Sequence, residues 1–484
     1  MNTEQSIKKP PYLMIAILFV GTFVAFLNNT LMNVALPTIM EDFGVTYATV
    51  QWLSNGYMLI SGVLIPASAF FVTRFNTKPL FIVATGIFTV GTLLASVSPN
   101  FGVLLAGRMI QAMGASVMSP LLMNVMLVSF PIEKRGTAMG FFGLVMMAAP
   151  AIGPTLSGYI VEHYNWRVLF TMILPFAIIS IVISIWKLEN VLPTRKITLD
   201  YFSVVLSTIG FGFLLFGFST AGNVGWTDPL IIISMILGVL GVTIFVIRQL
   251  KLKDPFLSME IFKAPAYTFS AITSTVLAMG LMGGMILTPV YLQNVRGIEP
   301  MASGLIMLPG ALVMAVMSPI TGRLFDKFGP RILAIIGMSI MAVTTYMLSQ
   351  LSIDSSLTYI ISVYTIRTMG MSLVMMPVMT NGLNALAPRL NPHGTAANNT
   401  IQQIAGAIGT AILIAVMNSK AMTTQKLLEE EASKQVLPTE ELVLMSQQAL
   451  LEGINLAFLV ATGFTIVTLI LSFFLKRVRS PQIK

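Results

Sequence analysis

Arg108 and Arg367 are the two basic residues that fall inside long apolar stretches of this chain. A charge near the centre of a bilayer-spanning helix costs about 2.5–3.5 kcal/mol on insertion scales, so such a residue is a functional candidate by default. Guanidinium groups suit phosphate and carboxylate. Arg108, Gln111, Ala115 and Met118 recur at i, i+3, i+7 and i+10, the pattern of one helix face. That face is expected to line a cavity. The alternative is that each arginine bonds backbone carbonyls or Asn/Gln side chains and ties helices together. All 19 acids lie in loops, termini or the ends of apolar stretches, with Asp200 and Asp326 closest to the apolar runs. A cavity holding these arginines without a counter-ion would favour anionic or zwitterionic cargo. Two polar stripes share the same logic. Asn29 and Asn33 follow Thr22 and Phe26 on one helix face, and Asn399 and Gln402 precede Gly406 and Thr410 on another. They line a path or form interhelical hydrogen bonds, worth about 0.6 kcal/mol each on average. Trp52 and Tyr57 begin span 2 and are either interfacial anchors or cavity aromatics, with anchoring favoured for Trp52 and Tyr57 kept among the cavity candidates.

Other chemistries lack material. There are no cysteines, and the two histidines, His163 and His393, are far apart. No metal site, no cofactor and no His-based catalysis is expected. No Gly-x-x-x-x-Gly-Lys-Ser/Thr loop suggests nucleotide hydrolysis. An integral-membrane enzyme would need acids or histidines clustered near one face, and none is found.

The elements that position these residues are membrane helices. The chain is 55% hydrophobic and 10% charged, against about 25% charged in soluble domains. This excludes an ordinary soluble enzyme, a disordered chain and a binder of nucleic-acid polymers. Fourteen stretches near 12–33, 50–71, 79–98, 102–130, 138–161, 166–186, 201–220, 229–248, 266–292, 302–322, 332–350, 357–379, 398–418 and 454–475 are long enough to span a bilayer. With the N-terminus inside, 21 of the 28 Lys and Arg residues fall on inner segments and five on outer ones. That asymmetry puts both termini in the cytoplasm. The segment 419–453 reads as two short amphipathic helices broken at Pro438, a hairpin on the outer face.

The spans repeat. Pro66, Arg74, Phe75 and Lys78 match Pro319, Lys327, Phe328 and Arg331 at one offset, and Arg108, Pro120 and Asn124 match Arg367, Pro377 and Asn381 at nearly the same spacing. The expected architecture is all-α, with 14 transmembrane helices. It divides into a six-helix bundle over 1–187, an inserted helix pair with linkers over 188–265, and a second six-helix bundle over 266–484. Span 5 carries Pro150, Gly153, Pro154 and Gly158, which suit a bending element between the bundles. Arg74 and Lys78 opposite Asp326 and Arg331 could form an inner latch.

Four of these segments resemble motifs of the major facilitator superfamily, in its 14-span drug:proton antiporter branch. They are Leu27 to Pro37 in span 1, Arg108-Met-Ile-Gln111-Ala-Met-Gly114 in span 4, Ala151 to Gly158 in span 5, and the loop 66–78. Span 5 has Ser157 where a second glycine is usual. The loop has Ala69, Thr73 and Asn76 where Gly, Asp and Gly are expected. The first span has Asn28 where an aspartate is usual, followed by Asn29, and asparagine cannot titrate. The resemblance implies a monomeric, multi-pass exporter in a bacterial plasma membrane that moves amphipathic small molecules by alternating access, coupled to protons. Asp326, Asp200 and Glu133 are the carboxylates nearest the inner face that could carry the proton. The alternative is export or flipping of an anionic metabolite, lipid or signalling nucleotide through an arginine-lined cavity.

Overall fold

The computed structural model describes residues 11–432, 439–479 and 481–482; the side chains of Asn33, Pro150 and Pro154 lie outside the described residues. In lipid the backbone must satisfy its own polar groups, so apolar runs of this length become helices. Among the described residues fourteen long helices result: α1 (Tyr12–Phe43), α2 (Trp52–Arg74), α3 (Thr77–Ser96), α4 (Phe101–Ser129), α5 (Arg135–His163), α6 (Ile173–Lys187), α7 (Tyr201–Val224), α8 (Pro229–Lys251), α9 (Pro265–Met282), α10 (Pro300–Phe328), α11 (Pro330–Leu348), α12 (Leu357–Asn384), α13 (Asn391–Ala432) and α14 (Thr439–Ser472). Thirteen have the length and composition of membrane spans among the described residues; α5, 29 residues long, is the other. Proline opens α8, α9, α10 and α11, where its missing N–H costs nothing. Helix α9 continues to Val295 through two π-helical turns.

Helix α1 packs on α4, α5 and α6, while α2 and α3 pack on α4. The later helices repeat the arrangement: α9 packs on α12, α13 and α14, while α10 and α11 pack on α12. The two groups meet along α5 with α10 and along α2 with α13. The inserted α7 packs on α8 and reaches both α2 and α13. There Phe216 stacks on Trp52 with ring centroids 6.1 Å apart, so this tryptophan is held by a neighbouring helix.

One sequence expectation needs correction. The 419–453 segment does not form separate short helices. Helix α13 runs unbroken for 42 residues to Ala432, and α14 begins at Thr439. No breaker interrupts the chain between 419 and 432, and Glu452 joins the two helices through Lys420 at 3.0 Å and the Thr424 hydroxyl at 2.8 Å. Pro438 lies outside the described residues.

Candidate transport site

A cavity of about 470 Å³ sits between the two helix groups. Its walls include Thr22, Phe26 and Asn29 of α1, Ser54, Tyr57 and Ser61 of α2, and Ser116 and Ser119 of α4. Across from them lie Met375, Met376 and Met379 of α12 and Asn399, Gln402 and Gln403 of α13. Among the described lining residues none is charged. The surface is therefore apolar and thioether-rich, with scattered hydroxyl and amide groups. Of the residues that the sequence places on these faces, Thr22, Phe26, Asn29, Tyr57, Ala115, Asn399 and Gln402 are on the wall. Asn28 is buried and off it. Sequence reasoning missed Ser61, Ser116, Ser119 and Gln403. Hydroxyl residues carry little signal inside a span because they bond their own helix, as Ser116 does to the Met113 carbonyl at 2.8 Å.

The arginines are not on the wall. Arg108 is 0% exposed. Its guanidinium donates to Gln111 Oε1 at 3.0 Å, Asn29 Oδ1 at 3.2 Å and the Leu53 carbonyl at 3.4 Å. It also lies 4.4 Å from the centre of the Tyr57 ring. Gln111 in turn donates to the Thr92 hydroxyl at 2.8 Å. The arginine-lined cavity expected from sequence is corrected by the rotation of α4. Gly107 and Gly114 press against α3, where a Cβ at either would meet backbone atoms of Gly91, Ala95, Ala84 or Phe88. That turns Arg108 and Gln111 away from the cavity, while Ala115, farther along the same face, stays on the wall beside Ser116, Ser119 and Pro120. Arg108 thus stands behind Asn29 and Tyr57, which do face the cavity. Arg367, 1% exposed, is sequestered in the same manner. It donates to the Thr345 hydroxyl at 3.1 Å and to the carbonyls of Gly280 and Leu281 at 3.2 and 3.4 Å. Both arginines tie helices together through neutral acceptors.

At the face that carries the basic loops, Asp326 of α10 crosses to the start of α5. Its carboxylate accepts from the Gly136 and Thr137 N–H groups, each at 2.8 Å, and from the Thr137 hydroxyl at 2.6 Å. The first N–H groups of a helix lack partners within it and carry the positive end of its dipole. Gly136 is required here, because a Cβ would overlap Asp326, Phe325 and the Gly322 carbonyl. Nearby, Arg135 donates to Asn384 Oδ1 at 3.1 Å and the Ser318 hydroxyl to the Gly140 carbonyl at 2.9 Å. Of the four residues expected to form a latch, only Asp326 makes this crossing. Among the described residues no ion pair joins it to Arg74, Lys78 or Arg331, and Arg331 is exposed. Backbone N–H groups have no sequence signature, which is why Gly136 and Thr137 were not expected.

The sequence profile described as Major Facilitator Superfamily matches residues 18–410. The chain belongs to this superfamily. Its members are transporters rather than enzymes, and this chain is a multi-pass membrane transporter. The lincomycin resistance protein LmrB of Bacillus subtilis is 42% identical to this chain, over 99% of it and 98% of LmrB. An uncharacterized transporter of the same organism, YhcA, is 44% identical over 99% of this chain and 96% of its own. The multidrug resistance protein B homolog of Mycobacterium tuberculosis is 30% identical over 81% and 74%. Among solved structures, the human organic anion transporter MFSD10 superposes with a TM-score of 0.67 at 13% identity, covering 95% of this chain and all of that one. A bacterial homolog of the human lysosomal transporter Spinster, solved inward-facing, gives 0.57 at 17% identity, with 97% of each covered. Of the superfamily's span-5 motif, Gly153 presses on Thr30 of α1, where a Cβ would meet the threonine side chain. The Thr30 hydroxyl bonds the Leu27 and Ala149 carbonyls at 2.9 and 3.2 Å. Gly158 faces Met301 of α10.

Proposed function

We propose that this protein exports amphipathic, drug-like molecules by alternating access, with its basic face in the cytoplasm of a bacterial cell and its cargo in the central cavity. The carrying observation is the lining itself: large, thioether-rich and uncharged, with hydroxyl and amide groups from both helix groups. Flexible thioethers adapt to varied shapes, while dispersed hydrogen-bonding groups fix orientation. LmrB and the multidrug resistance relatives support the same reading. Cargo with polar groups on an apolar frame fits best, and its charge is secondary. The anion-exporter reading depended on exposed guanidinium groups, and the burial of Arg108 and Arg367 speaks against it.

Proton coupling, in this reading, acts through Asp326 and not through a cavity acid. The ionised carboxylate accepts three bonds that tie α10 to α5 at the basic face. Protonation removes acceptor capacity and weakens that tie. Span 5, whose sequence carries Pro150 and Pro154, supplies the bending element. The decisive experiment is substrate-triggered proton release from acid-loaded proteoliposomes, with neutral, cationic and anionic amphiphiles in parallel. Neutral and cationic cargo should both release protons. A response confined to anions would overturn the reading. Arg108→Gln should lower export of every class by a similar factor, because it loosens the wall; selective loss of anion export would restore the arginine as a selector.

A further inference from the structure

The repeat that built the Asp326 crossing has a second copy with a different outcome. Arg135-Gly136-Thr137-Ala138 opens α5, and His393-Gly394-Thr395-Ala396 opens α13. The partner of the first is Asp326; the residue at the equivalent place facing the second is Thr73. Thr73 donates its hydroxyl to its own helix, at the Ala69 carbonyl, 2.7 Å away. No carboxylate therefore comes from α2 to meet α13. By helix geometry the N–H groups of His393 and Gly394 have no acceptor within α13.

A second difference lies beside the first. Asn381 of α12 is sewn to the chain that follows α14: it donates to the Lys476 carbonyl at 3.0 Å and accepts from the Val478 N–H at 3.0 Å. Its repeat mate Asn124 is 1% exposed and donates to the Pro120 carbonyl at 2.8 Å, but its Oδ1 has no partner. The chain that follows α6 turns elsewhere, with Val191 and Leu192 N–H groups directed to the Thr77 hydroxyl. What remains is a pocket of about 210 Å³, lined by Thr73, Asn124, Arg195, Lys253, Arg389 and His393 among others. Two acids also line it, and both are paired: Asp254 with Arg195 at 3.1 Å, and Glu260 with Arg389 at 2.9 Å. Lys253 leaves the lining one positive charge in excess. Elsewhere in the first turns of α13, off the lining, the Thr395 hydroxyl, the mate of the Thr137 hydroxyl that bonds Asp326, is buried with no partner, as is the side-chain amide of Asn391.

We propose that this pocket binds a small phosphate-bearing anion, which completes on the α2–α13 side the closure that Asp326 completes on the α5–α10 side. Phosphate matches both demands. Its anionic oxygens accept from the His393 N–H at the start of α13 and from Lys253, and a P–OH donates to the orphaned Asn124 Oδ1. A carboxylate ion lacks that donor. The volume leaves room for a small organic group on the phosphorus, and an anionic lipid headgroup presents the same chemistry. The ligand would make opening of the transporter respond to phosphate at its basic face.

The test is binding to the purified full-length protein without cargo or gradient, so its outcome is separate from the export reading. Inorganic phosphate is titrated calorimetrically, and phosphatidylcholine vesicles with and without phosphatidic acid are titrated in parallel. Either a phosphate isotherm or a preference for phosphatidic acid supports the site, and which of the two appears identifies the source. Thr73→Asp puts the missing carboxylate in place and should weaken binding at least tenfold. Lys253→Gln, an exposed change that leaves the helices intact, should weaken it at least threefold. Binding of neither probe, or equal binding by both variants and the unmodified protein, would overturn the proposal.

Discussion

The two sides of the basic face start from the same parts and end differently. On the α5–α10 side, two helix N–H groups and a hydroxyl converge on the Asp326 carboxylate within 2.8 Å. On the α2–α13 side, the same Gly-Thr-Ala start faces Thr73, and the Thr395 hydroxyl has no partner. A helix start offers donors wherever it occurs. Whether those donors hold two bodies together depends on a single acceptor on the facing helix. Hydrogen bonds to a charged group contribute about 1.5–3 kcal/mol each, and among the described residues the α5–α10 side has such bonds where the α2–α13 side has none. The comparison also separates charge from function. The fully buried arginines of α4 and α12 bond neutral acceptors within their own helix groups, while the half-buried aspartate bonds across the interface between the groups.

The largest expected effect is at Asp326. Asp326→Ala leaves the Gly136 and Thr137 N–H groups facing an apolar side chain. Even one such bond, at about 1.5–3 kcal/mol, shifts a two-state population roughly 10- to 100-fold. Spin-label distances between the basic-face ends of α5 and α10 should lengthen, and transport should fall at least tenfold. Unchanged distances would dissolve the contrast between the two sides. Next is the pair Gly136→Leu and Gly394→Ala. The first drives a side chain into Asp326 and the Gly322 backbone; the second meets only the ends of the Leu386, Leu383 and Tyr267 side chains. Transport should drop about as far as in Asp326→Ala for the first and stay within about threefold for the second. Smaller again is the contrast between Thr137→Val and Thr395→Val. Removing the Thr137 hydroxyl costs Asp326 one charge-assisted bond, about 1.5–3 kcal/mol, and should lower the thermal midpoint. Removing the orphaned Thr395 hydroxyl should leave the midpoint unchanged or raise it slightly.

Much of the scaffold was legible before any coordinates. Apolar run length is a direct readout of bilayer thickness, so the helix count and the offset relating Pro66 to Pro319 could be read from the letters. The cavity was half legible. Asn29, Tyr57, Asn399 and Gln402 stood out because amides and phenols are rare in spans, whereas Ser61 and Ser119 did not. The orientation of Arg108 was not legible, because periodicity finds a face but does not say which neighbour that face meets. Glycine packing on α3 decided it. The Asp326 crossing was legible only on one side, since its partners are backbone atoms. The length of α13 was legible only in part, because the polar composition of 419–432 suggests a new element although nothing in it stops a helix already under way.

The smallest effect is also the control for all the others. Asp200, at the start of α7, accepts from Arg248 at 2.6 and 2.9 Å and from the Ser203 hydroxyl at 2.5 Å. The Arg248 guanidinium, then Ser203, hold its carboxyl down at about 2, below the value of about 3.9 expected in an unfolded chain. The sign follows: the contribution of this pair is complete above about pH 4 and is lost as the pH falls towards 2. Acidifying from pH 7 to pH 5 should therefore leave the α7–α8 pair untouched. Opening of the basic face in that window would belong to groups outside this pair. Arg248→Gln should return Asp200 towards ordinary carboxylate behaviour and raise the pH at which acid unfolding begins by less than about one unit, because a partly exposed ion pair is screened by solvent. It should not change the α5–α10 distances at neutral pH. If those distances lengthen as much as in Asp326→Ala, the inserted helices and not the aspartate hold the face shut, and the contrast between the two sides would have to be redrawn around α7.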